Sequence, residues 1–248
     1  MGELYLVLAA GAMAAGFVQG LSGFGFGMVA MSFWAWTVEP RLAAPMAVFG
    51  ALSGQLLAAF TVRRGFALAR LLPFVAGGLL GIPLGLKVLP YLDPVVFKAC
   101  IGGLLAVWCP LMLCAGRLPR ISVGGRTADG VAGLMGGVMG GLGGFTGVIP
   151  TLWCTLRGYD RDTQRAVIQN FNLSMLTVTM IGYVVTGVVT SAMLPQFAVV
   201  LPAMLVPAWL GTRVYTGISD AAFRRVVLGL LTLSGIALLA ASLPRLLA

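Results

Sequence analysis

The stretch Gly20-Leu21-Ser22-Gly23-Phe24-Gly25-Phe26-Gly27 lies in the middle of an apolar run from residue 4 to residue 37. As one helix this run would reach roughly 50 Å at 1.5 Å per residue, more than tilting absorbs in a hydrocarbon core of about 30 Å. Glycine lowers the cost of leaving helical geometry, so we predict that the helix breaks here. The break leaves pieces of about 16 and 14 residues, each too short to cross a bilayer.

A second glycine-rich stretch, Gly140-Gly141-Leu142-Gly143-Gly144-Phe145-Thr146-Gly147, interrupts the apolar run from 128 to 156. The two stretches align at an offset of 121 residues. Three further matches follow at an offset of 126: Gly85-Leu86-Lys87-Val88 with Gly211-Thr212-Arg213-Val214, Phe97-Lys98 with Phe223-Arg224, and Gly103-Leu104-Leu105 with Gly229-Leu230-Leu231. The sequence therefore predicts an internal duplication, with repeats at about 1–116 and 127–248.

The composition is that of a membrane protein. Of the 248 residues, 59% are hydrophobic and 9% are charged, whereas soluble domains carry about 25% charged residues. Hydrocarbon offers no partner for free backbone groups, so every spanning segment should be helical. We expect an all-α protein that forms a single transmembrane domain over 1–248. Its eight apolar segments fall at about 4–37, 42–62, 66–90, 95–115, 128–156, 165–187, 192–215 and 221–247.

Charge counting distinguishes two topologies. If segments one and five cross fully, the halves are parallel and Arg and Lys divide 9 to 7 between the two sides. If both segments are re-entrant, each half has three spanning helices and the second half is inverted. One side then carries Arg63, Arg64, Arg70, Arg117, Arg120, Arg126, Arg157, Arg161, Arg165, Arg213, Arg224 and Arg225, and the other keeps Arg41, Lys87, Lys98 and Arg245. The positive-inside rule favours inverted repeats with both termini periplasmic.

Several classes of function are disfavoured. The net charge of +9 comes from short loops, so it does not indicate nucleic-acid binding. The chain has no histidine, and its cysteines lack metal-ligand spacing, so we expect no metal and no cofactor. We expect Cys100, Cys109, Cys114 and Cys154 to be buried free thiols. The acidic residues lie near segment ends, which leaves no carboxylate pair for an intramembrane enzyme.

The two predicted breaks are candidate sites for an anion. Where each broken helix resumes, the first backbone N–H groups have no carbonyl partner and carry the positive end of the helix dipole. Paired discontinuous helices in the two halves of a repeat are typical of transport sites. The alternative is that the glycines only allow close helix packing. The predicted binding residues at the breaks are Ser22, Gly23, Phe24, Gly25, Phe26, Gly27, Gly144, Phe145, Thr146 and Gly147.

Amide side chains are the second candidate feature. Gln169, Asn170 and Asn172 lie together in the sixth segment, and Gln19 and Gln55 are lone amides of the first half. Amides are costly in hydrocarbon, so they should face a cavity or another helix. Hydrogen bonds between helices and contact with a substrate remain equal alternatives for them.

The motif Gly16-Phe17-Val18-Gln19-Gly20-Leu21-Ser22-Gly23-Phe24-Gly25-Phe26-Gly27 resembles the amino-terminal signature of the TauE/SafE sulfite exporter family, also called the toluene-sulfonate uptake permease family. The ends of both halves, with Gly-x-Lys/Arg and then Phe-Lys/Arg, are similar to that family as well. The resemblance implies a bacterial inner-membrane transporter of sulfite, sulfoacetate or another organosulfonate. It carries over to Gly23–Gly27 and Gly144–Gly147. A channel for anions or small solutes is the alternative, and a homodimer is left open.

Overall fold

The computed structural model describes residues 2–22, 25–61, 65, 67–115, 119–214 and 220–247. This part of the chain is helical throughout and contains no strand. Helices α4 and α5, and again α8 and α9, are joined by short connections that each contain one turn of 3-10 helix. The α-helices are α1 (Gly2–Ser22), α2 (Phe26–Trp34), α3 (Pro40–Thr61), α4 (Leu68–Val88), α5 (Pro94–Cys114), α6 (Gly125–Gly143), α7 (Val148–Leu156), α8 (Arg161–Val185), α9 (Leu194–Val214) and α10 (Asp220–Leu247).

The first predicted break separates α1 from α2. Gly25 has φ 93°, a left-handed conformation that other residues rarely adopt, and α2 begins at the next residue. Helix α2 runs back along α1, since the Trp34 indole packs on Gly11 and its Nε1 donates to Val7 O at 3.1 Å. The segment therefore forms a helical hairpin. Its first arm is longer than predicted, because the 21 residues of α1 are long enough to span a membrane, whereas α2 has 9.

The second predicted break separates α6 from α7. Gly144 has φ 77°, and its N–H donates to Gly140 O and Met139 O, which closes the last turn of α6 in a left-handed helix end. Helix α7 then returns along α6: Pro150 approaches Gly136, and Trp153 Nε1 donates to the buried Asp129 Oδ1 at 2.7 Å. Both glycine-rich segments are thus hairpins that turn at their glycines.

Six helices among the described residues are long and apolar enough to cross a membrane, namely α1, α3, α4, α5, α9 and α10. Helix α8 has 25 residues but is not apolar enough to be counted with them, because it carries the amide cluster and a charged first turn. Outward-facing side chains such as Leu80 and Leu230 are more than 60% exposed, as lipid-facing residues are. All four cysteines are free. Cys109 and Cys154 are buried as predicted. Cys100 and Cys114 are exposed on α5, so the prediction that they are buried was wrong.

Glycines allow the long helices to touch backbone to backbone. On α1, Gly16 lies against Met204 and Gly20 against Ala208, so α1 and α9 run parallel. Likewise Gly77 and Gly81 of α4 lie against Gly130 and Leu134 of α6, and these two helices are also parallel. The alternative role of the glycines in close helix packing therefore applies to Gly16 and Gly20, which contact α9.

Helices α5 and α10 pack in the opposite sense. Gly102 lies against Gly235 and Leu239, while Gly235 also lies against Ala106. Residue numbers rise along one helix as they fall along the other, so the pair is antiparallel. The hairpin of each half thus packs against a helix of the other half: α1 against α9, and α6 against α4. The last helices of the two halves, α5 and α10, also pack against each other.

Candidate functional site

The turns of the two hairpins meet inside the helix assembly. A methyl group placed on Gly27, in the first turn of α2, would lie 3.2 Å from Gly144 O and 3.3 Å from Gly143 O. Gly144 also packs closely on Val48 of α3. These contacts are tighter than ordinary van der Waals contact, so the two breaks predicted from the sequence lie side by side.

A cavity opens beside this meeting point. It measures about 30 Å³ as the space open to the centre of a water molecule, and on that measure one water needs roughly 10–15 Å³. The cavity therefore has room for two or three waters, about the size of a small inorganic anion. It is lined by Gln19, Gly25, Phe26, Gly27, Met28, Ala51, Gln55, Trp108, Gly144, Phe145, Thr146, Gly147, Val148, Asn172 and Leu176.

The first turn of α2 supplies backbone donors to this space. The N–H groups of Phe26, Gly27 and Met28 have no acceptor within the described part of the chain, and no side chain caps the helix. The matching turn of α7 supplies fewer donors, because Val148 N donates to Phe145 O and position 150 is a proline. The positive end of a helix dipole adds to these donors, so the α2 side favours negative charge more strongly.

Asn172 places a side-chain donor in the cavity wall. Its Oδ1 accepts a hydrogen bond from Thr146 Oγ1 at 2.8 Å. The Nδ2 group lies next to Gly147 and has no acceptor among the described residues. Helix α8 thereby adds an oriented N–H donor to those of α2.

Gln19 and Gln55 bring amides from the first half. Both are buried, with 5% and 2% of their surface exposed. Gln19 Nε2 donates to Ala51 O at 3.1 Å, and its Oε1 has no donor among the residues that the structure describes. No charged residue is found among the described residues that line the cavity.

A family model for the TauE/SafE sulfite exporters matches residues 8–238. The chain belongs to the TauE/SafE sulfite exporter family. The resemblance read from the Gly-Phe motif is thus confirmed over nearly the whole chain. Members of this family are membrane transporters and not enzymes, and a small anion is the substrate that the family implies. No curated protein and no solved structure matched in the two other comparisons.

The structure of this TauE/SafE chain brings most predicted residues together. Ser22 is exposed and donates to Val18 O, outside the cavity lining. Asn170 binds Gly65 O and Ala166 O with its amide nitrogen, and Gln169 is buried elsewhere on α8. Gly23 and Phe24 lie outside the described residues. Those at the cavity are Gln19, Gly25, Phe26, Gly27, Gln55, Gly144, Phe145, Thr146, Gly147 and Asn172.

Five lining residues of the exporter-family chain were missed from the sequence: Met28, Ala51, Trp108, Val148 and Leu176. The most informative is Trp108, whose Nε1 donates to Val148 O at 2.9 Å and so ties α5 to the start of α7. An indole N–H inside an apolar helix needs a hydrogen-bond partner, and this need was the one feature of the sequence that could have indicated a role for Trp108. The other four are apolar residues that carry no sequence signal for a site.

The lining of this family member repeats with the offset of the glycine-rich motifs. Five of the eight lining residues from the first half have a lining partner 121 residues later in the second half. A cavity built twice from corresponding positions is what an internal duplication predicts. The pairs are Gly25 with Thr146, Phe26 with Gly147, Gly27 with Val148, Ala51 with Asn172, and Gln55 with Leu176.

Proposed function

We propose that this protein carries a small sulfur-containing anion, such as sulfite or an organosulfonate, across the bacterial inner membrane. The observation that carries the proposal is the meeting of two helix breaks at one cavity, with backbone N–H donors that have no acceptor among the described residues. The anion would accept hydrogen bonds from the first turn of α2 and from Asn172 Nδ2. Phe26 and Phe145 border the same space and would gate it or pack on the organic part of a sulfonate.

The cavity size supports a small anion in the conformation described. Space for two or three waters accommodates sulfite. An aryl sulfonate is larger and would need the hairpin turns to separate. The absence of charge among the described lining residues also fits a transporter, because an anion held by neutral donors can leave as well as enter.

We further propose that the halves are inverted repeats. In this topology α1 and α9 run in the same direction, as do α4 and α6, while α5 and α10 run in opposite directions. The glycine contacts of these three pairs follow that pattern. Parallel halves would instead make α5 and α10 run the same way. Alternating access then follows from rocking one half against the other around the site.

Loop contacts support the same arrangement. Asn170 binds Gly65, Arg157 Nη1 approaches Ser122 O, and the Arg70 guanidinium lies over the Tyr159 ring. The loops after α3, α5 and α7 thus gather at one end, which holds the arginine-rich segments. This end would be cytoplasmic by the positive-inside rule, which places both termini in the periplasm.

Flux measurement in proteoliposomes tests the proposal. Liposomes with the purified protein should take up or release sulfite faster than empty liposomes, and sulfonates should compete. Saturable flux without single-channel conductance would support a transporter over a channel. Absence of flux for every sulfur anion, together with transport of an unrelated solute, would contradict the proposed function.

A further inference from the structure

The cavity is not purely a set of donors. Gln19 lines it and is buried, and its amide is held between Ala51 and Gly54 of α3. Because Ala51 presents a carbonyl, the amide nitrogen must face it, at 3.1 Å. Within the described part of the chain, no donor reaches the Oε1 atom. Leaving a buried acceptor unpaired is unfavourable, so a ligand that supplies an O–H gains this interaction.

We infer that the substrate binds as a hydrogen-bearing monoanion, of the hydrogensulfite type, whose O–H donates to Gln19 Oε1. This inference rests on the proposed function and specifies the protonation state of its substrate. The other oxygens of the anion accept from the N–H groups of Phe26 to Met28 and from Asn172 Nδ2. An oxyanion that keeps a single proton can accept from these donors with its other oxygens and donate its O–H to the Gln19 oxygen.

The same arrangement discriminates against related anions. A sulfite dianion would set an oxygen lone pair against Gln19 Oε1, which leaves the acceptor unpaired and adds repulsion. Sulfate is a dianion throughout the neutral range and has no proton to offer. Methanesulfonate carries one negative charge but no O–H, so it tests charge without the donor.

Protein titration does not account for the pH dependence expected here. The helices that surround Gln19 carry their charges near their ends: Glu3 on α1, Arg41 on α3, Lys98 on α5, Arg126 and Asp129 on α6, Arg161, Asp162 and Arg165 on α8, and Arg213 on α9. The Arg213 guanidinium lies over the Trp209 ring of the same helix. Cys109 on α5 and Tyr183 on α8 are buried outside the cavity lining.

Binding to the purified full-length protein, measured by calorimetry from mildly acidic to mildly alkaline pH, tests the inference. The apparent Kd, expressed in total sulfite, should rise as the hydrogensulfite fraction falls. Above the pKa of the ligand itself, this rise should be about tenfold per pH unit. The Kd for methanesulfonate should stay flat over the same range, and sulfate should bind most weakly. A pH effect shared by sulfite and methanesulfonate would show protein titration and overturn the inference.

Gln19→Leu provides the matched variant. Loss of a hydrogen bond from a charged ligand should raise the hydrogensulfite Kd about 10- to 100-fold, with little change for methanesulfonate. Equal losses for both anions would overturn the inference, since they would reflect a general defect. If Gln19→Leu does not fold, the pH series on the unaltered protein still decides. Binding of sulfite with no pH dependence would overturn this inference alone, whereas no binding of any sulfur anion would overturn the proposed function.

Discussion

At the residue scale, the two polar atoms of the Asn172 side chain have different roles. Its Oδ1 accepts from Thr146 Oγ1, and its Nδ2 is available to the cavity. Two neighbouring amides on the same helix, Gln169 and Asn170, lie outside the lining. Asn170 is two residues from Asn172, which turns its side chain by roughly 200° around the helix and away from the site.

Replacing Asn172 with leucine should weaken anion binding while leaving the fold intact. The variant removes a donor to a charged ligand, worth about 1.5–3 kcal/mol, so the Kd for sulfite should rise at least about tenfold. Gln164→Leu is the matched control, because this amide on the same helix donates to Thr155 Oγ1 away from the cavity. Equal affinity of the two variants in calorimetry would contradict a binding role for Asn172.

Gly147→Ala tests the position of the same amide without altering its chemistry. The added methyl would lie 2.9 Å from both Asn172 Nδ2 and Oδ1, so the amide must move. We expect a rise in Kd of up to about 100-fold, because a displacement near 1 Å is enough to misalign a binding group. Gly103→Ala is the control, since nothing lies within 4 Å of its added methyl. An unchanged Kd for Gly147→Ala would show that the amide position is irrelevant.

At the element scale, the hairpins are held by partner helices from the other half. Helix α6 packs along α4 through glycines on both sides, and α1 packs along α9 in the same way. The relative position of the two hairpin turns therefore depends on the packing of α1 on α9 and of α6 on α4. Trp108 adds a direct tie from α5 to the first residue of α7.

Gly81→Ala and Gly137→Ala should each destabilise the protein. The new methyl groups would lie 2.1 Å from Leu134 O and Gly78 O, so the helices must separate. Overpacking of this kind costs about 1–3 kcal/mol and should lower the Tm in detergent by several degrees. Gly229→Ala meets nothing within 4 Å and should be neutral or slightly stabilising. A Tm for Gly81→Ala equal to that of Gly229→Ala would refute the close packing.

At the scale of the whole molecule, the proposed inverted topology places the loops on defined sides. Val123, 78% exposed between α5 and α6, belongs to the arginine-rich end, whereas Thr190 lies between α8 and α9 at the opposite end. In a background without the four native cysteines, Thr190→Cys should react with an impermeant thiol reagent in intact spheroplasts. Val123→Cys should react only after the membrane is opened. Labelling of both from the same side would exclude the topology.

Much of this architecture could be predicted from the sequence because its causes are local. The first apolar run is longer than a bilayer is thick, so a break in the helix was expected, and the glycine-rich stretch indicated its position. The structure has left-handed glycines at Gly25 and Gly144, within the two predicted stretches. Polar residues are scarce in an apolar chain, so the few amides and hydroxyls near the breaks formed a short list of candidates.

The sequence by itself thus determined that the chain is helical, lies in a membrane and breaks twice at its glycines, since helix length, hydropathy and backbone freedom are properties of short segments. Tertiary structure alone decided which candidates face the cavity. Gln19 lines it while Ser22, three residues later, does not, and Trp108 enters from a helix with no predicted role. The reason is that the rotation of a helix about its axis is set by packing against distant helices, through contacts such as Gly20 on Ala208.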